Sequence, residues 1–144
     1  MTPAQRLRQL ANLLNASTPL GLLLARLAGT TTFKGPRGLI IATGYDRKLP
    51  LAGAFAVGNV IIYRAGPEAA LANPVLLGHE ERHSTQYACL GLPFLVLYFA
   101  AAGWSLLWHG DPASGNPFER HAGLAAGGYA YDGVTRLGRR RHRP

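Results

Sequence analysis

Two histidines in the middle of the chain have the spacing of a metal-binding pair. They stand at the two ends of the segment His79-Glu80-Glu81-Arg82-His83. On a helix, side chains four residues apart project from one face, one turn apart, so both imidazoles can bind a single metal ion. Glu80 directly follows the first histidine, where its carboxylate can reach a water on that ion without binding the ion itself. This division of roles predicts metal-assisted hydrolysis with Glu80 as the general base.

A catalytic zinc site needs a third protein ligand and one open position. The candidates are Glu119, His109 and His121. Glu119 stands three residues after Asn116, a spacing that equally fits a capping box, in which the glutamate accepts a backbone N–H. Spacing alone therefore leaves both interpretations of Glu119 open. His109 is expected to end a helix, and His121 to point away from Glu119 or to face the cleft as a donor to the transition state.

Several further polar residues are candidates for supporting roles. Gln86 lies three residues after His83 and nearly on the face of His79, where it orients a ligand, touches substrate, or is a buried amide hydrogen-bonded to backbone. Glu81 and Arg82 are expected to point away from the ion, toward solvent or behind the ligands. The donor to the developing oxyanion is left open among Tyr98, His121, Tyr129 and Tyr131.

Start and stop signals define the helices that must carry these residues. Asn73-Pro74 supplies a capping side chain followed by proline at the first helical position, and this helix is expected to run to about Cys89. Gly91-Leu92-Pro93 then breaks the chain. A further helix is expected from Pro93 to Trp108. Asn116-Pro117 starts the last one, which is expected to end at Gly127-Gly128.

Residues 38–63 have the pattern of strands. Short β-branched runs, 38–43 and 60–63, are punctuated by glycines, with a turn expected near residues 44–46. Two or three antiparallel strands fit this length. The predicted fold class is therefore α+β, mainly helical, with a small antiparallel sheet next to the helix that carries the two histidines.

Three blocks of sequence occur in a recognisable order. They are Gly78 to Tyr87 with the two histidines and Gln86, Gly91 to Leu95 with Tyr98, and Asn116 to Glu119 with Ala122. Together with the preceding stretch Ala54 to Ile61, they resemble a group of small bacterial proteins similar to zinc metallopeptidases of the gluzincin type. The resemblance covers roughly residues 53–122.

The resemblance implies a zincin-like minimal domain that hydrolyses peptide bonds in a peptide or protein substrate. It implies that a zinc ion is held by His79, His83 and Glu119, with Glu80 as the general base. It also implies that a strand matching residues 57–63 lies beside the metal helix, with an edge able to pair with an extended peptide. Better-known gluzincins carry an acidic residue one turn after the third ligand, and this sequence has Gly123 there.

Length and composition favour one globular domain. The chain has 144 residues, of which 48% are apolar and 15% charged, so a charge-rich disordered chain is excluded. A single cysteine excludes an intramolecular disulfide framework. The expected domain covers residues 1–132, with an N-terminal helical segment at 3–28, the sheet at 38–63 and the metal helices at 74–126. A basic tail follows at 133–144.

The N-terminal segment has leucines on one helical face, at Leu7, Leu10 and Leu14, with a kink expected at Pro19. Two interpretations follow: a helix packed on the core, or a helix on a membrane surface. The apolar stretch is interrupted by polar residues and followed by Arg26, which disfavours a signal peptide and favours a cytoplasmic chain.

Two other features bear on membranes. Residues 88–108 are uncharged, but the break at 91–93 shortens the helix to 93–108. Its length is then about 24 Å, against a hydrocarbon core of about 30 Å, so it is either a core helix or a membrane-inserted one.

The net charge of +8 comes largely from arginines in the tail, at 136, 139, 140, 141 and 143. A terminal run without interleaved aromatic residues disfavours nucleic acid. It is expected to be a solvated tail or, alternatively, to contact an anionic membrane surface or membrane protein complex on the cytoplasmic side. The alternative function is accordingly a catalytically inactive, zincin-like accessory subunit associated with the membrane.

Overall fold

Helices and strands alternate in blocks along the chain. The computed structural model describes residues 1–129. Within that range the helices are α1 (Pro3–Leu14), α2 (Ser17–Leu27), α3 (Pro67–Ala72), α4 (Pro74–Leu90), α5 (Pro93–His109) and α6 (Pro117–Ala122), and the strands are β1 (Thr31–Lys34), β2 (Ile40–Thr43), β3 (Ala54–Val57) and β4 (Val60–Tyr63). The chain divides into two units, residues 1–92 and a second that begins at Pro93. The predicted tail at 133–144 and the predicted domain end at 132 lie outside the described residues.

The sheet of the first unit is mixed, not antiparallel as the sequence pattern suggested. Its strand order is β1-β2-β4-β3. β1 is antiparallel to β2 and β3 is antiparallel to β4, but β2 and β4 are parallel, with Ile41 opposite Ile61. The chain leaves β2, crosses to the far edge to form β3, and returns through a hairpin, so β4 enters the sheet beside β2 in the same direction. β1 was also missed, because its polar residues lie before the predicted range 38–63.

Helices cover both faces of this sheet. On one face Ala42, Val60 and Ile62 pack with Ala25 of α2. On the other face a second cluster contains Leu39, Ile41, Ala54, Ile61 and Tyr63 together with Ala70 of α3 and Leu77 of α4. β4 is buried along its whole length because it is central in the sheet and covered on both faces. α4, which carries the two histidines, is therefore held against a rigid sheet.

Two glycines allow α2 to approach the sheet closely. A Cβ atom on Gly21 would lie 2.4 Å from the carbonyl oxygen of Val57. Gly58, in the β3–β4 turn, has φ 60°, and a Cβ there would lie 2.4 Å from the backbone nitrogen of Thr18. Both positions exclude larger residues because backbone atoms, not flexible side chains, occupy the space.

The N-terminal helices turn their leucines outward, so the interpretation of the Leu7, Leu10 and Leu14 face as a core face is wrong. Leu14 is 77% exposed, whereas Asn12 on the opposite face is completely buried. The break between the helices is also not at Pro19. It is at Ala16, which has φ 65°, while Pro19 lies in the first turn of α2, where its missing N–H costs nothing.

The predicted limits of α4 are confirmed closely. The Asn73 side chain caps its N-terminus by accepting the N–H of Leu76 at 3.0 Å, and Pro74 is the first helical residue. The helix ends at Leu90, before Gly91 with φ 65°. α3, directly before this cap, has only a Gly66-Pro67 start and was not predicted.

In the second unit, α5 leaves most of its apolar surface exposed. Only Phe94 and Ser105 are buried among its residues. The Ser105 hydroxyl donates to the carbonyl of Asp111 at 2.7 Å and accepts the N–H of Gly115 at 2.7 Å, which fixes the loop after the helix. α6 ends at Ala122, earlier than predicted, because Gly123 has φ 95° and leaves the helical region. None of the helices in residues 1–129 has the length and apolarity needed to cross a bilayer.

Candidate functional site

His79 and His83 lie on the same buried face of α4, as their spacing predicts. They are 2% and 6% exposed. Their Nε2 atoms are 3.1 Å apart and the ring planes are nearly perpendicular, at 84°. Two imidazole nitrogens at this distance are suited either to an N–H···N hydrogen bond or to sharing one cation. The arrangement is thus a pair of converging donors and not two independent core histidines.

Gln86 fixes the tautomer of His83. Its side-chain oxygen lies 2.8 Å from His83 Nδ1, in a buried contact one turn along α4. An amide oxygen only accepts hydrogen bonds, so Nδ1 carries the proton and donates it. The neutral ring then has its lone pair on Nε2, the atom that faces His79. A partner on the far ring nitrogen is the usual way in which proteins orient a metal-binding imidazole.

Glu80 is buried on the same helix, and its charge acts on Tyr63 of the sheet. Glu80 is 4% exposed. Burial raises the pKa of Tyr63 on β4 to about 12, and the negative charge of Glu80 adds to this effect, whereas the positive charge of Arg37 opposes it. Within residues 1–129 the Tyr63 hydroxyl has no hydrogen-bond partner. Tyr63 was not a candidate from the sequence, because it looks like any other apolar residue of a buried strand.

Glu81 has a structural role and does not point into solvent, the first of the two placements expected for it, since its side chain is only 18% exposed. Its carboxylate forms two ion pairs, each 2.6 Å, with Arg8 of α1 and Arg37. Arg8 is 7% exposed and also donates to the carbonyl oxygen of Arg37 at 2.6 Å. The two adjacent glutamates of the motif therefore do different work: Glu81 joins α4 to α1 and to the turn before β2.

A buried cluster of polar side chains, Asn12, Asn59 and Ser84, fixes the middle of α4. The Asn12 amide nitrogen donates to Asn59 Oδ1 at 2.9 Å and to the Ser84 carbonyl at 2.9 Å. The Ser84 hydroxyl donates to the same Asn59 oxygen at 2.8 Å. The cluster joins α1, the β3–β4 turn and α4 one residue beyond His83. No sequence signal identified it, since isolated Asn and Ser residues are usually exposed.

Glu119 lies in the first turn of α6, in the second unit, and is 2% exposed. The Asn116 side chain caps the helix by accepting the N–H of Phe118 at 3.0 Å. The N–H of Asn116, the group that a capping-box glutamate would accept, instead donates to the carbonyl of Ala113 at 2.9 Å. The Tyr98 hydroxyl of α5 donates to Glu119 Oε1. The buried carboxylate is thus oriented by Tyr98, which the sequence offered as a candidate to support a ligand, to touch substrate or to donate to an oxyanion.

The three predicted ligands form one group. Each of His79, His83 and Glu119 is buried and offers one ligand atom, and these atoms lie within 4.8 Å of one another. Within residues 1–129 this is the one group of three or more ligating residues. His109 and His121, the other candidates for the third ligand, therefore belong to no potential metal site in this part of the chain. His109 ends α5, and His121 is exposed on α6. Tyr131 lies outside the described residues.

The chain was compared with models of protein families, with curated proteins and with solved structures, and none of the three comparisons gave a match.

Proposed function

We propose that the protein is a zinc-dependent peptidase in which His79, His83 and Glu119 hold the ion and Glu80 is the general base. The observation that carries the proposal is the buried pair of histidines with Nε2 atoms 3.1 Å apart. Two nitrogens bound to one zinc at about 2.0–2.1 Å with tetrahedral geometry are about 3.3 Å apart. Small side-chain adjustments therefore accommodate an ion between these rings.

The chemistry of the donor set supports zinc over harder cations. Two neutral imidazoles and one carboxylate are a common ligand set of catalytic zinc, whereas calcium and magnesium prefer oxygen ligands. The ligand atoms of all three residues lie within 4.8 Å, and the Tyr98 hydroxyl orients the carboxylate. Three protein ligands leave one coordination position for substrate or water, the condition for a catalytic rather than a structural site.

A bound zinc ion supplies a Lewis acid that polarises the scissile carbonyl and makes an attacking water more acidic. Glu80 accepts the proton of that water as it attacks and later delivers it to the leaving amine. Glu80 is 4% exposed, so its carboxylate is shielded from bulk water where this transfer takes place. His83 keeps its lone pair directed toward His79 because Gln86 holds the opposite proton.

The sheet offers an edge that suits an extended peptide. The strand that the resemblance assigned to this role includes β4, but β4 is paired on both sides, with β2 and β3. The edge strand next to α4 is β3, which packs against that helix. A peptide added to β3 would be held by main-chain hydrogen bonds, which bind substrates of many sequences.

The proposal is tested by metal analysis and hydrolysis assays on the full chain. We expect one zinc per chain in the wild type and in Glu80→Gln, because Glu80 does not bind the ion. We expect hydrolysis of a broad fluorogenic peptide library by the wild type, and a loss of at least about 100-fold in Glu80→Gln. Glu68→Gln, an exposed glutamate on α3, is the matched control and should leave both properties unchanged.

Three results would contradict the proposal. Absence of zinc binding would remove the metal site, and full hydrolysis by Glu80→Gln would remove the assigned base. Stoichiometric zinc without hydrolysis of any library peptide would favour the alternative, a catalytically inactive accessory subunit.

A further inference from the structure

The two N-terminal helices are built with their apolar faces outward. In α1 the buried positions are Arg8 and Asn12, which are polar, whereas the leucines lie on the solvent side. In α2 the buried positions are small or polar: Ser17, Thr18, Gly21 and Ala25. Eight leucines of the two helices are exposed by 39% or more, namely Leu7, Leu10, Leu13, Leu14, Leu22, Leu23, Leu24 and Leu27. We call these eight side chains the leucine face.

This distribution of residues is the reverse of the one found in helices on the surface of a protein in water. A surface helix normally buries its apolar stripe and exposes its polar residues. Close helix packing through small residues, with leucines outside, is typical of helices whose surroundings are lipid. The inner side of α2 fits this description, since Gly21 lies against the backbone of Val57. Monomers in water seldom expose so many adjacent large apolar side chains unless the surface binds something.

The charges near the leucine face indicate an anionic partner. The first acidic residue of the chain is Asp46, so α1 and α2 carry no negative side chain. Arg6 and Arg26 are exposed on these helices. Arg6 lies on the side of Leu10 and Leu13, and Arg26 on the side of Leu22 and Leu23. Two copies of this face would bring like charges together, which disfavours self-association.

We propose that the leucine face docks α1 and α2 into the surface of an anionic lipid bilayer. The helices have 12 and 11 residues, or about 18 Å and 16 Å, too short to span the bilayer and suited to lying in its interface. The leucines enter the acyl boundary while Arg6 and Arg26 remain among the phosphates. The inference is independent of the proposed peptidase, because it uses no residue of the metal site.

The test is binding of the full chain to sedimented vesicles. One set contains phosphatidylcholine alone, and the other contains equal parts of phosphatidylcholine and phosphatidylglycerol. We expect the wild type to bind the phosphatidylglycerol vesicles more tightly. The variant Leu10→Gln/Leu14→Gln/Leu23→Gln should bind them at least about tenfold more weakly, since each leucine that enters the bilayer contributes strongly to the free energy of binding. Arg6→Gln and Arg26→Gln should each weaken binding about fivefold and only on the anionic vesicles.

Two controls separate the leucine face from other contributions. Leu71→Gln/Val75→Gln changes two exposed apolar residues on α3 and α4, which pack on the face of the sheet opposite α2. Neither residue belongs to the leucine face, so this variant should not alter binding. The basic tail is present in every variant, and high salt weakens its contribution but not that of the leucines. Because the substituted leucines are exposed, thermal unfolding should be unchanged.

Two outcomes would overturn the proposal. One is equal vesicle binding by the wild type and the triple leucine variant. The other is a wild-type dimer in size-exclusion chromatography that the triple variant converts to monomer without any change in vesicle binding, which would make a second copy the partner of this face.

Discussion

The side-chain oxygen of Gln86 accepts the Nδ1 proton of His83 at 2.8 Å. This contact presents the Nε2 lone pair toward His79. We expect Gln86→Leu to lower zinc affinity by about 10–100-fold, the usual cost of losing such a partner. Competition with a chromophoric chelator measures the change. Zinc stoichiometry at saturation should be one per chain in both proteins, because the three proposed ligands are intact.

Gln86→Glu is the informative control for this prediction. The carboxylate can accept the same proton, so we expect it to restore most of the affinity that Gln86→Leu loses. Equal affinity in Gln86→Leu and the wild type would show that the amide is only a buried polar group.

Substitution of Glu81 and substitution of Glu80 should change different properties of the protein. Glu81→Gln removes the carboxylate that pairs with Arg8 and Arg37 and leaves a nearly buried arginine without its counter-charge. We expect the free energy of unfolding to fall by about 2–3 kcal/mol, measured by urea denaturation. Zinc stoichiometry should not change. Under the proposed function, Glu80→Gln should instead lower hydrolysis by at least about 100-fold, with much less effect on stability.

A double variant tests the physical reason for this cost. Arg8→Met/Glu81→Leu removes the buried charge together with its partner, and we expect it to recover part of the stability lost in Glu81→Gln. Glu68→Gln should stay within about 0.5 kcal/mol of the wild type. A Glu81→Gln protein as stable as the wild type would contradict the structural role.

Local signals in the sequence predicted the centre of the molecule well. The Asn73-Pro74 start signal and the Gly91 stop signal act over one helical turn, so the sequence predicted both ends of α4 to within about one residue. The Asn116 cap likewise predicted the first residue of α6. The grouping of His79, His83 and Glu119 was predicted from the resemblance, since spacing alone left Glu119 open between ligand and cap.

The sheet and the N-terminal helices depend on contacts that no local pattern encodes. Parallel pairing of β2 with β4 is decided by where the chain crosses after residue 43, so the sequence favoured the simpler antiparallel arrangement. The orientation of α1 was wrong because apolar periodicity identifies a face but not its surroundings. Arg8 and Asn12 are drawn inward by partners on α4 that lie more than seventy positions away.

Disruption of the buried cluster of Asn12, Asn59 and Ser84 should lower the stability of the protein more than disruption of most other polar contacts. Asn12→Ala removes the donor shared by Asn59 and the Ser84 carbonyl, both buried. We expect a loss of about 2–3 kcal/mol in the free energy of unfolding. Asn12→Asp should cost at least as much despite its identical shape, because a carboxylate oxygen would face two carbonyl oxygens. Denaturant titration of both variants checks the order, and a milder effect for Asn12→Asp would contradict it.

The loop after α5 contains a carboxylate whose charge should stabilise the fold. Burial by itself raises the pKa of Asp111, but hydrogen bonds from the backbone N–H groups of Ser114 and Ala113 and the charge of His109 outweigh it, so the pKa lies below its usual value of 3.8. A depressed folded-state pKa means that the unfolded chain binds the proton more readily. The contribution of Asp111 to stability is therefore complete above the usual pKa and is lost as the pH falls through the folded-state pKa.

Asp111→Asn isolates this charge, because the amide oxygen still accepts both N–H groups. We expect the wild type to be more stable than Asp111→Asn at pH 6, and the difference in the free energy of unfolding to shrink steadily below about pH 4. Denaturant titrations between about pH 6 and pH 2 measure that difference. Asp111→Ala loses the acceptor as well and should be less stable than Asp111→Asn at every pH. A difference between wild type and Asp111→Asn that does not vary with pH would show that the carboxylate acts only as a neutral acceptor.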